Sequence, residues 1–411
     1  MSAISFESTY RTAMRMPIWV LPALGTMLLL VLFGDRLLND PDIHWHIATG
    51  DWILANDAFP RVDAFSFSMK EQPWITTAAG AQVIFAAVYR LFGWSGVVLL
   101  TAFCAALSVG LVIRFVGRWL PATGALVFGV VMLLLTMPHL VVRPHLLAMP
   151  VMVAWAAGLV DAADRRSAPS FWLLPLMVLW SNLHVSFLFG LVLMGALAVD
   201  AVLNAPKTAR PGHVRSWAAF GAIAVIAACV SPYGWGSLVG AWRILMLGDA
   251  LTMITEWRPM DLSRINTFEF VLLGGVGLAL WKGVTLPPLR ILMLLGLAHL
   301  ALSSVHHADA IACIVPLLLA APLAPQFGRG GDHAHGGILS LAAAVVLAVS
   351  VVTVLAMQSY APASPTSAPA SVAALKQHRL DGGQRVLADE TAAVNVSKPA
   401  APGKQPAVRS R

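Results

Sequence analysis

Charged side chains are scarce in this chain: Asp, Glu, Lys and Arg make up 11% of its 411 residues, whereas 58% are hydrophobic. Soluble globular domains carry about 25% charged residues, so this composition excludes an ordinary soluble domain. Cysteine is scarce too. The three cysteines, Cys104, Cys229 and Cys313, each lie inside an apolar run. This position is typical of small core residues and argues against a disulfide framework. Alternating strands of about ten residues are missing, which argues against a transmembrane β-barrel. The net charge of +7 belongs mainly to short loops, so no nucleic-acid partner is predicted.

What the chain does contain is a series of apolar runs of about 17–25 residues, the length that crosses a bilayer core as a helix. They predict an all-α polytopic membrane protein with about 11 transmembrane helices. If the short run at 170–182 forms a broken pair with 185–204, the count becomes ten. The predicted spans are 17–34, 94–113, 122–138, 146–163, 170–182, 185–204, 217–231, 268–282, 289–304, 309–325 and 336–357.

The basic residues predict the topology. Arg11 and Arg15 precede the first apolar run, and further Lys and Arg residues fall in alternate short loops, so that side is predicted to be cytoplasmic. The first run, Pro17 to Gly34, is too long for the apolar core of a signal peptide and has no small-residue cleavage site. It is therefore predicted to remain as the first membrane helix, with a cytoplasmic N-terminus.

The predicted domain organisation is simple. Residues 1–357 form one transmembrane domain with an outer acidic loop at 36–76. Two outer segments, Thr76 to Phe92 and Gly240 to Ile254, place apolar residues at helical spacing and are predicted to lie as helices in the membrane interface. The tail at 358–411 is rich in Ala, Pro and Ser and is predicted to be disordered.

One stretch of the outer loop concentrates polar chemistry. Asn39 to His46, continued by Gly50 to Ile53, packs carboxylates, imidazoles and indoles into about a dozen residues. The chain has 12 histidines, and most lie at the predicted outer ends of helices: His44, His46, His139, His145, His184, His299, His306 and His307. This asymmetry predicts a catalytic or binding site on the outer face.

Asp40 and Asp42 are the predicted catalytic residues. Two carboxylates two positions apart at the end of a membrane helix can act as a general base, bind a divalent cation such as Mg²⁺ or Mn²⁺, or do both. The alternative is structural, because an Asp-Pro pair near a helix end is often only a cap or turn. The nearby His44, Trp45 and His46 favour a functional role.

His44, His46, Arg143 and His145 are predicted to bind substrate. The two histidines of the His-x-His pair suit hydrogen bonds to a phosphate or a sugar hydroxyl. A metal site is the weaker alternative: in a strand both could bind one metal, whereas on a helix they would point apart. Zinc would also need further ligands, such as His306, His307 or Asp309. Arg143 carries a planar fork that suits a phosphate. An arginine at membrane depth usually has a partner, so a structural pair with an outer carboxylate is an equal alternative.

Four further residues complete the predicted substrate-binding set. Asn182 and His184 interrupt an apolar run, where unpaired polar groups are costly, so they must pair internally or line a cavity. His306 and His307 open a late span, either to contact substrate or to begin the helix.

Several of these motifs together resemble bacterial membrane proteins related to the GT-C superfamily, the glycosyltransferases that use polyprenyl-phosphate sugars. The similarity begins with Asp40-Pro41-Asp42, Trp45-His46-x3-Gly50-x-Trp52-Ile53 and Pro60-Arg61-x-Asp63-x-Phe65-Ser66. It continues through Arg143-Pro144, Trp180-Ser181-Asn182-Leu183-His184, Ser231-Pro232-Tyr233-Gly234-Trp235 and Glu256-Trp257-Arg258-Pro259, so that it covers residues 17–326. The chain departs from the pattern at Val185, where the relatives have Gly, at His306-His307, where they often have an arginine, and in its short tail.

The resemblance implies a GT-C-like fold in a bacterial inner membrane, with the active face in the periplasm. Asp40 or Asp42 would activate an acceptor hydroxyl, with a divalent cation in some relatives, and Arg143 with His145 would hold the phosphate of the donor. The implied partners are a polyprenyl-phosphate-linked sugar, membrane lipids, and a glycan, lipid or protein acceptor.

Two other functions stay open on the sequence. A transporter or flippase for a lipid-linked or anionic solute would explain a broken helix pair at 170–204, although its polar residues should also line the midplane and the opposite face. A non-catalytic partner in envelope-polysaccharide assembly would keep the fold without the reaction. Replacing Asp40 or Asp42 separates these functions from a transferase.

Overall fold

The computed structural model describes residues 16–66, 69–248, 251, 257–328, 335–336 and 338–362. Within these ranges the chain is almost entirely helical. The exceptions include a short antiparallel strand pair, β1 (Met16–Pro17) with β2 (His335–Gly336).

The helices in chain order are α1 (Val20–Leu32), α2 (Gly34–Leu37), α3 (Asp42–Asn56), α4 (Ala79–Val116), α5 (Ala122–Thr136), α6 (Pro144–Asp164), α7 (Leu174–Leu183), α8 (Phe187–Asn204), α9 (Arg210–Ala228), α10 (Trp235–Leu245), α11 (Thr267–Lys282), α12 (Pro288–Ser303), α13 (Ala308–Phe327) and α14 (Ile338–Met357). Single 3₁₀ turns precede or follow three of them, at Met137–His139, Phe171–Leu173 and Val305–His307.

Each of the eleven predicted spans coincides with a helix, but the helices differ in length. Among the described residues, six are long and apolar enough to cross a membrane: Ala79–Val116, Ala122–His139, Pro144–Asp164, Phe187–Asn204, Val305–Phe327 and Leu339–Met357. Three others are apolar but shorter, at Val20–Leu32, Phe171–Leu183 and Pro288–Ser303. An all-helical, multi-pass membrane protein is therefore supported, while eleven crossings stay a prediction.

Contacts between helix ends define two opposite ends of the helical bundle in the described part of the chain. At the basic end, Arg118 pairs with Asp161 at 2.7 Å and the Gln326 amide donates to the Thr285 carbonyl at 2.7 Å. At the opposite end, the Val142 N–H donates to the Leu37 carbonyl at 2.8 Å. These contacts bring the ends of α4 and α6 together at the basic end, and the segments that follow α1 and α5 together at the opposite end. The alternating order of all eleven spans stays a prediction.

A buried ion cluster ties three helices together at the basic end. Arg290 on α12 is 2% exposed; it donates to Asp200 on α8 at 2.8 Å and to Asp164 on α6 at 2.6 Å. The sequence pattern placed Arg290 in a basic loop and gave no sign of these carboxylates as its partners. A guanidinium shared by two buried carboxylates is a structural clamp, because each charge compensates the desolvation of the others.

The centre of the bundle is α6, where Trp155 is fully buried. Its indole N–H donates to the Gly190 carbonyl of α8 at 3.0 Å, and its ring stacks on Phe220 of α9 with centroids 5.7 Å apart. Other helices keep apolar side chains exposed; Leu280 and Trp281 on α11 are examples, at 78% and 77% exposure. Such surfaces fit helices that face lipid.

The segment predicted to lie in the membrane interface at 76–92 forms the first part of α4. Gly93 then breaks the helix with φ 59° and ψ −153°, a conformation that only glycine adopts easily, so the chain changes direction before the apolar part. The first part packs along α3, and a side chain at Gly50 would collide with the Gln82 backbone. The second interfacial segment corresponds to α10; its residues 249–250 and 252–254 lie outside the described residues.

The predicted tail begins with ordered contacts. Tyr360 is 6% exposed, its hydroxyl donates to the Val31 carbonyl at 2.9 Å, and the Ala361 N–H donates to the Asp35 carboxylate at 3.2 Å. The Tyr360 ring fills a space beside Gly34, and the disorder predicted for the tail stays a prediction. Residues 363–411 lie outside the described residues.

Candidate functional site

Arg143 bridges the two aspartates of the acidic motif. Its Nε lies 2.5 Å from Asp40 Oδ2, and its Nη2 lies 3.1 Å from Asp42 Oδ2. The Asp40 carboxylate also accepts the Asp42 backbone N–H at 2.9 Å. Both carboxylates of the predicted catalytic pair therefore hold one guanidinium, at the end of the bundle opposite the basic loops.

Local sequence explains this geometry. Pro41 directly precedes α3, so Asp42 stands in its first turn, where a carboxylate is favoured by the helix dipole. Arg143 is extended, with φ −140° and ψ 159°, because Pro144 follows it and begins α6. The backbone hydrogen bond between Val142 and Leu37 then sets the two segments side by side.

The two aspartates differ in access. The Asp40 side chain is 7% exposed, whereas the Asp42 side chain is 47% exposed. Asp40 uses one oxygen for Arg143 and the other for the Asp42 N–H. Asp42 is thus the carboxylate that a substrate can reach, and Asp40 holds the bridge in place.

His46 lies next to this bridge as a neutral imidazole. The Gln82 amide donates to its Nδ1 at 3.4 Å, while the Gln82 carbonyl oxygen accepts the Thr76 hydroxyl at 3.0 Å. This arrangement leaves the proton of the neutral ring on Nε2. Burial, helped by Arg143 and opposed by Asp40, lowers the pKa of His46 to about 4. His46 is therefore a neutral N–H donor at physiological pH.

His184 is held in the same tautomer between α7 and α8. Its Nδ1 accepts the Ser186 backbone N–H at 3.2 Å and lies 2.8 Å from the Ser186 hydroxyl, which accepts the Trp180 indole N–H at 3.0 Å. Burial, with smaller contributions from His306, His145, His46 and Arg143, lowers the pKa of His184 well below 6.5. The interrupted run thus supplies a second neutral Nε2–H donor.

A chain of aromatic rings continues from His184. Its ring centroid is 6.1 Å from that of His145 and 6.0 Å from that of His306. His306 stacks on Trp257 at 4.6 Å with planes 17° apart, and His307 meets the same indole edge-on at 6.0 Å. Four segments that are distant in sequence therefore meet in one cluster of imidazoles and an indole beside Arg143: those of His145, His184, Trp257 and His306-His307.

His145 faces a carboxylate that was not among the predicted site residues. Its Nε2 lies 3.7 Å from Asp309 Oδ2, in the first turn of α13. Among the described residues, neither that nitrogen nor Asp309 Oδ1 has a hydrogen-bond partner, and Asp309 is 9% exposed. The sequence signal for Asp309 was its position two residues after His307.

The structure places two predicted residues elsewhere. The His44 ring meets Trp94 edge-on at 5.4 Å, because residues two apart on α3 point in different directions. The Asn182 amide donates to the Val178 and Val230 carbonyls, each at 2.8 Å. The first bond lies within α7, and the second links the end of α7 to the segment just after α9. Asn182 therefore pairs internally, the structural alternative, and is not available to substrate through these donors.

Other motifs on which the resemblance rests lie outside this cluster, and their side chains pack the outer loop around it. Arg61 donates to the Pro232 carbonyl at 2.9 Å and lies over the Tyr233 ring at 5.2 Å. Trp45 packs against Phe65 and Trp74 with centroids 4.8 Å and 5.5 Å apart. These contacts fix the outer loop on α3. Glu256, in the last of these motifs, lies outside the described residues.

The described residues offer no group of three or more His, Cys, Asp and Glu side chains arranged to hold a metal ion. Asp40 and Asp42 both hold Arg143 instead of facing a common third ligand. The present arrangement does not fit a divalent cation, so no chemical step is assigned to one here, and the cation stays a prediction.

No family model, curated protein or solved structure matches the chain significantly.

Proposed function

We propose that this chain is a GT-C-like membrane glycosyltransferase, which moves a sugar from a polyprenyl-phosphate donor to an acceptor hydroxyl on a glycan, lipid or protein. The observation that carries the proposal is the bridge from Arg143 to Asp40 and Asp42, which leaves Asp42 about half exposed and lies next to the buried His46. A reachable carboxylate next to N–H donors is what transfer of a phosphate-activated sugar requires.

Asp42 is the proposed general base. It takes the proton of the acceptor hydroxyl while the acceptor oxygen forms a bond to the anomeric carbon of the sugar. The bond from that carbon to the phosphate oxygen breaks, and the lipid phosphate leaves with the electron pair. Attack from the side opposite the phosphate inverts the anomeric centre.

The leaving phosphate is assigned to the imidazole cluster. His46 and His184 keep Nε2–H groups as donors, and His145, His306 and His307 lie in the same cluster. Arg143 already compensates two carboxylates, so its geometry favours the structural alternative, in which it positions Asp42. A preorganised set of N–H donors lowers the barrier by stabilising charge that develops on the departing oxygen.

The proposed setting is a bacterial inner membrane crossed eleven times, with the N-terminus in the cytoplasm and the site at the periplasmic face. Exposed indoles at both ends support it, because tryptophan concentrates where helices leave the lipid. Trp172 and Trp281 lie at the basic end, and Trp235 and Trp242 lie at the site end. A lipid-linked donor would reach the site sideways between helices.

A transporter or flippase for a lipid-linked or anionic solute is the second candidate. The break between α7 and α8 at His184 favours it, because discontinuous helices line the binding sites of many transporters. Against it, the buried charges at the opposite end, Arg290 with Asp164 and Asp200, are engaged with one another. No specific contact among the described residues favours a non-catalytic role in polysaccharide assembly.

The test is a comparison of a strain lacking this protein with the same strain complemented, in which lipid-linked sugars and envelope glycans are profiled by mass spectrometry. A transferase predicts loss of one glycan modification and accumulation of its polyprenyl-phosphate sugar on the periplasmic side. Accumulation on the cytoplasmic side would contradict the proposal and favour a flippase.

A further inference from the structure

Asp309 brings a third carboxylate to the site. It is 9% exposed, its Oδ1 has no hydrogen-bond partner in the described part of the chain, and its Oδ2 lies 3.7 Å from His145 Nε2. Charge-assisted hydrogen bonds between nitrogen and a carboxylate are shorter, about 2.7–2.9 Å. The pair therefore does not have the geometry of a tight ion pair.

An ionised Asp309 would be poorly compensated. Among the described residues, the charged and titratable groups around it and its partner His145 include Cys313, one turn further along α13, and five others: Arg143, His139, His184, His306 and His307. Of these described neighbours, Arg143 is the permanent cation, and two carboxylates already share it. A buried carboxylate with one oxygen unsatisfied is costly, and the neutral acid avoids most of that cost.

Charge balance in the proposed reaction leads to the same conclusion. If Asp309 were ionised, it would add a third negative charge to those of Asp40 and Asp42 among the described residues of the site. That charge would repel the phosphate that the site has to bind. A protonated carboxyl group removes one negative charge and adds an O–H donor. Enzymes are known to keep buried carboxylic acids neutral for this purpose.

We propose that Asp309 is a neutral carboxylic acid in the site and that its O–H donates a hydrogen bond to a phosphate oxygen of the substrate. This inference rests on the proposed function and names a further substrate-binding residue for it. The His145 ring faces the acid, with its Nε2 3.7 Å from Asp309 Oδ2.

The experiment uses the purified full chain in detergent, with farnesyl phosphate and inorganic phosphate as the two probes. Affinity is measured by calorimetry above pH 7.5, where a phosphate monoester is already doubly ionised. Asp309→Ala is expected to weaken farnesyl phosphate binding by about tenfold or more, because it removes a hydrogen bond to a charged group. Asp309→Asn is expected to restore most of the affinity, because the amide supplies an N–H donor. Asp57→Asn is the matched control, since Asp57 is exposed in a left-handed conformation that Asn tolerates.

Infrared difference spectra measure the protonation state of Asp309 directly, which a purely structural role of this residue would not change. The spectrum of wild type minus Asp309→Asn should contain the carbonyl stretch of a protonated carboxylic acid, and isotope-labelled aspartate should shift that band in the wild type even if the variants fold poorly. A carboxylate band in its place, or an Asp309→Asn variant as weak as Asp309→Ala, would overturn the inference.

The probes separate this inference from the proposed function. If wild type binds neither probe, the phosphate-binding part of the proposed function fails and the inference fails with it. If wild type binds farnesyl phosphate but Asp309→Ala binds it equally well, the inference alone fails. If inorganic phosphate binds as tightly as farnesyl phosphate and shows the same variant pattern, the inference holds for the phosphate group without the lipid.

Discussion

Arg143 donates to the Asp40 carboxylate across 2.5 Å, although the two residues are 103 positions apart in the chain. This bond joins the acidic motif at the start of α3 to the start of α6. The same guanidinium reaches Asp42, so one arginine sets the position of the exposed carboxylate to which we assign the chemistry.

Arg143→Met should lower stability and activity together. Removing one partner of a buried ion pair costs about 3–5 kcal/mol, because the other charge stays buried without compensation. The Asp40 side chain, 7% exposed, would be left in that state. Thermal unfolding in detergent measures the loss. Arg143→Met with Asp40→Asn should regain much of the stability without regaining activity; a double variant no more stable than the single one would contradict the bridge.

Stability should fall as the solution is acidified, in part because of His46. Its pKa is about 4 in the folded chain and about 6.5 when unfolded, so the unfolded state binds the proton first as pH falls. The contribution is fully present above pH 6.5 and is lost by about pH 4, with a total of about 3 kcal/mol. His46→Gln should make the free energy of unfolding depend less steeply on pH between pH 7.5 and 4.5. An unchanged pH slope would show that His46 is not buried as a neutral ring.

Trp257→Ala should weaken donor binding more than it lowers the turnover rate. The indole stacks on His306 at 4.6 Å and orients it toward the cluster. Aromatic pairs contribute about 0.5–1.5 kcal/mol, so the KM for the lipid-linked donor should rise by about two- to tenfold. Trp257→Phe, which keeps a stacking surface, should stay close to wild type. Equal effects of the two substitutions would argue against stacking as the cause.

Arg290→Met should destabilise the protein without impairing the site at the other end. It leaves Asp164 and Asp200 buried without a cation, which costs about 3–5 kcal/mol. Activity per folded molecule should match wild type in a detergent assay at low temperature. Arg215→Met, at an exposed position of α9, is the control and should change neither property. Loss of activity per folded Arg290→Met molecule would instead favour a transport path through both ends.

The positions of the helices were predictable because apolar runs and alternating basic loops follow directly from the bilayer. The one-sided distribution of histidines likewise predicted that His46, Arg143, His145, His184, His306 and His307 would come together. Periodicity cannot show which way a residue points from a helix of unknown rotation. The contacts that His44 and Asn182 make with other parts of the bundle were therefore not predictable, and their role in substrate binding stays a prediction. Asp309, Gln82 and Trp257 escaped the predicted set because their roles depend on pairings across the bundle, which no local pattern records.

The most direct measurement compares Asp42→Asn with Asp40→Asn and the control Asp57→Asn, in a strain lacking the protein, by profiling envelope glycans and lipid-linked sugars at matched protein levels. The account predicts that Asp42→Asn abolishes one glycan modification and that its lipid-linked donor accumulates. Asp40→Asn, which disturbs the bridge, should reduce the modification together with the amount of folded protein, and Asp57→Asn should restore the wild-type profile. A wild-type profile from Asp42→Asn would contradict the assignment of Asp42 as the base and, with it, the proposed transferase.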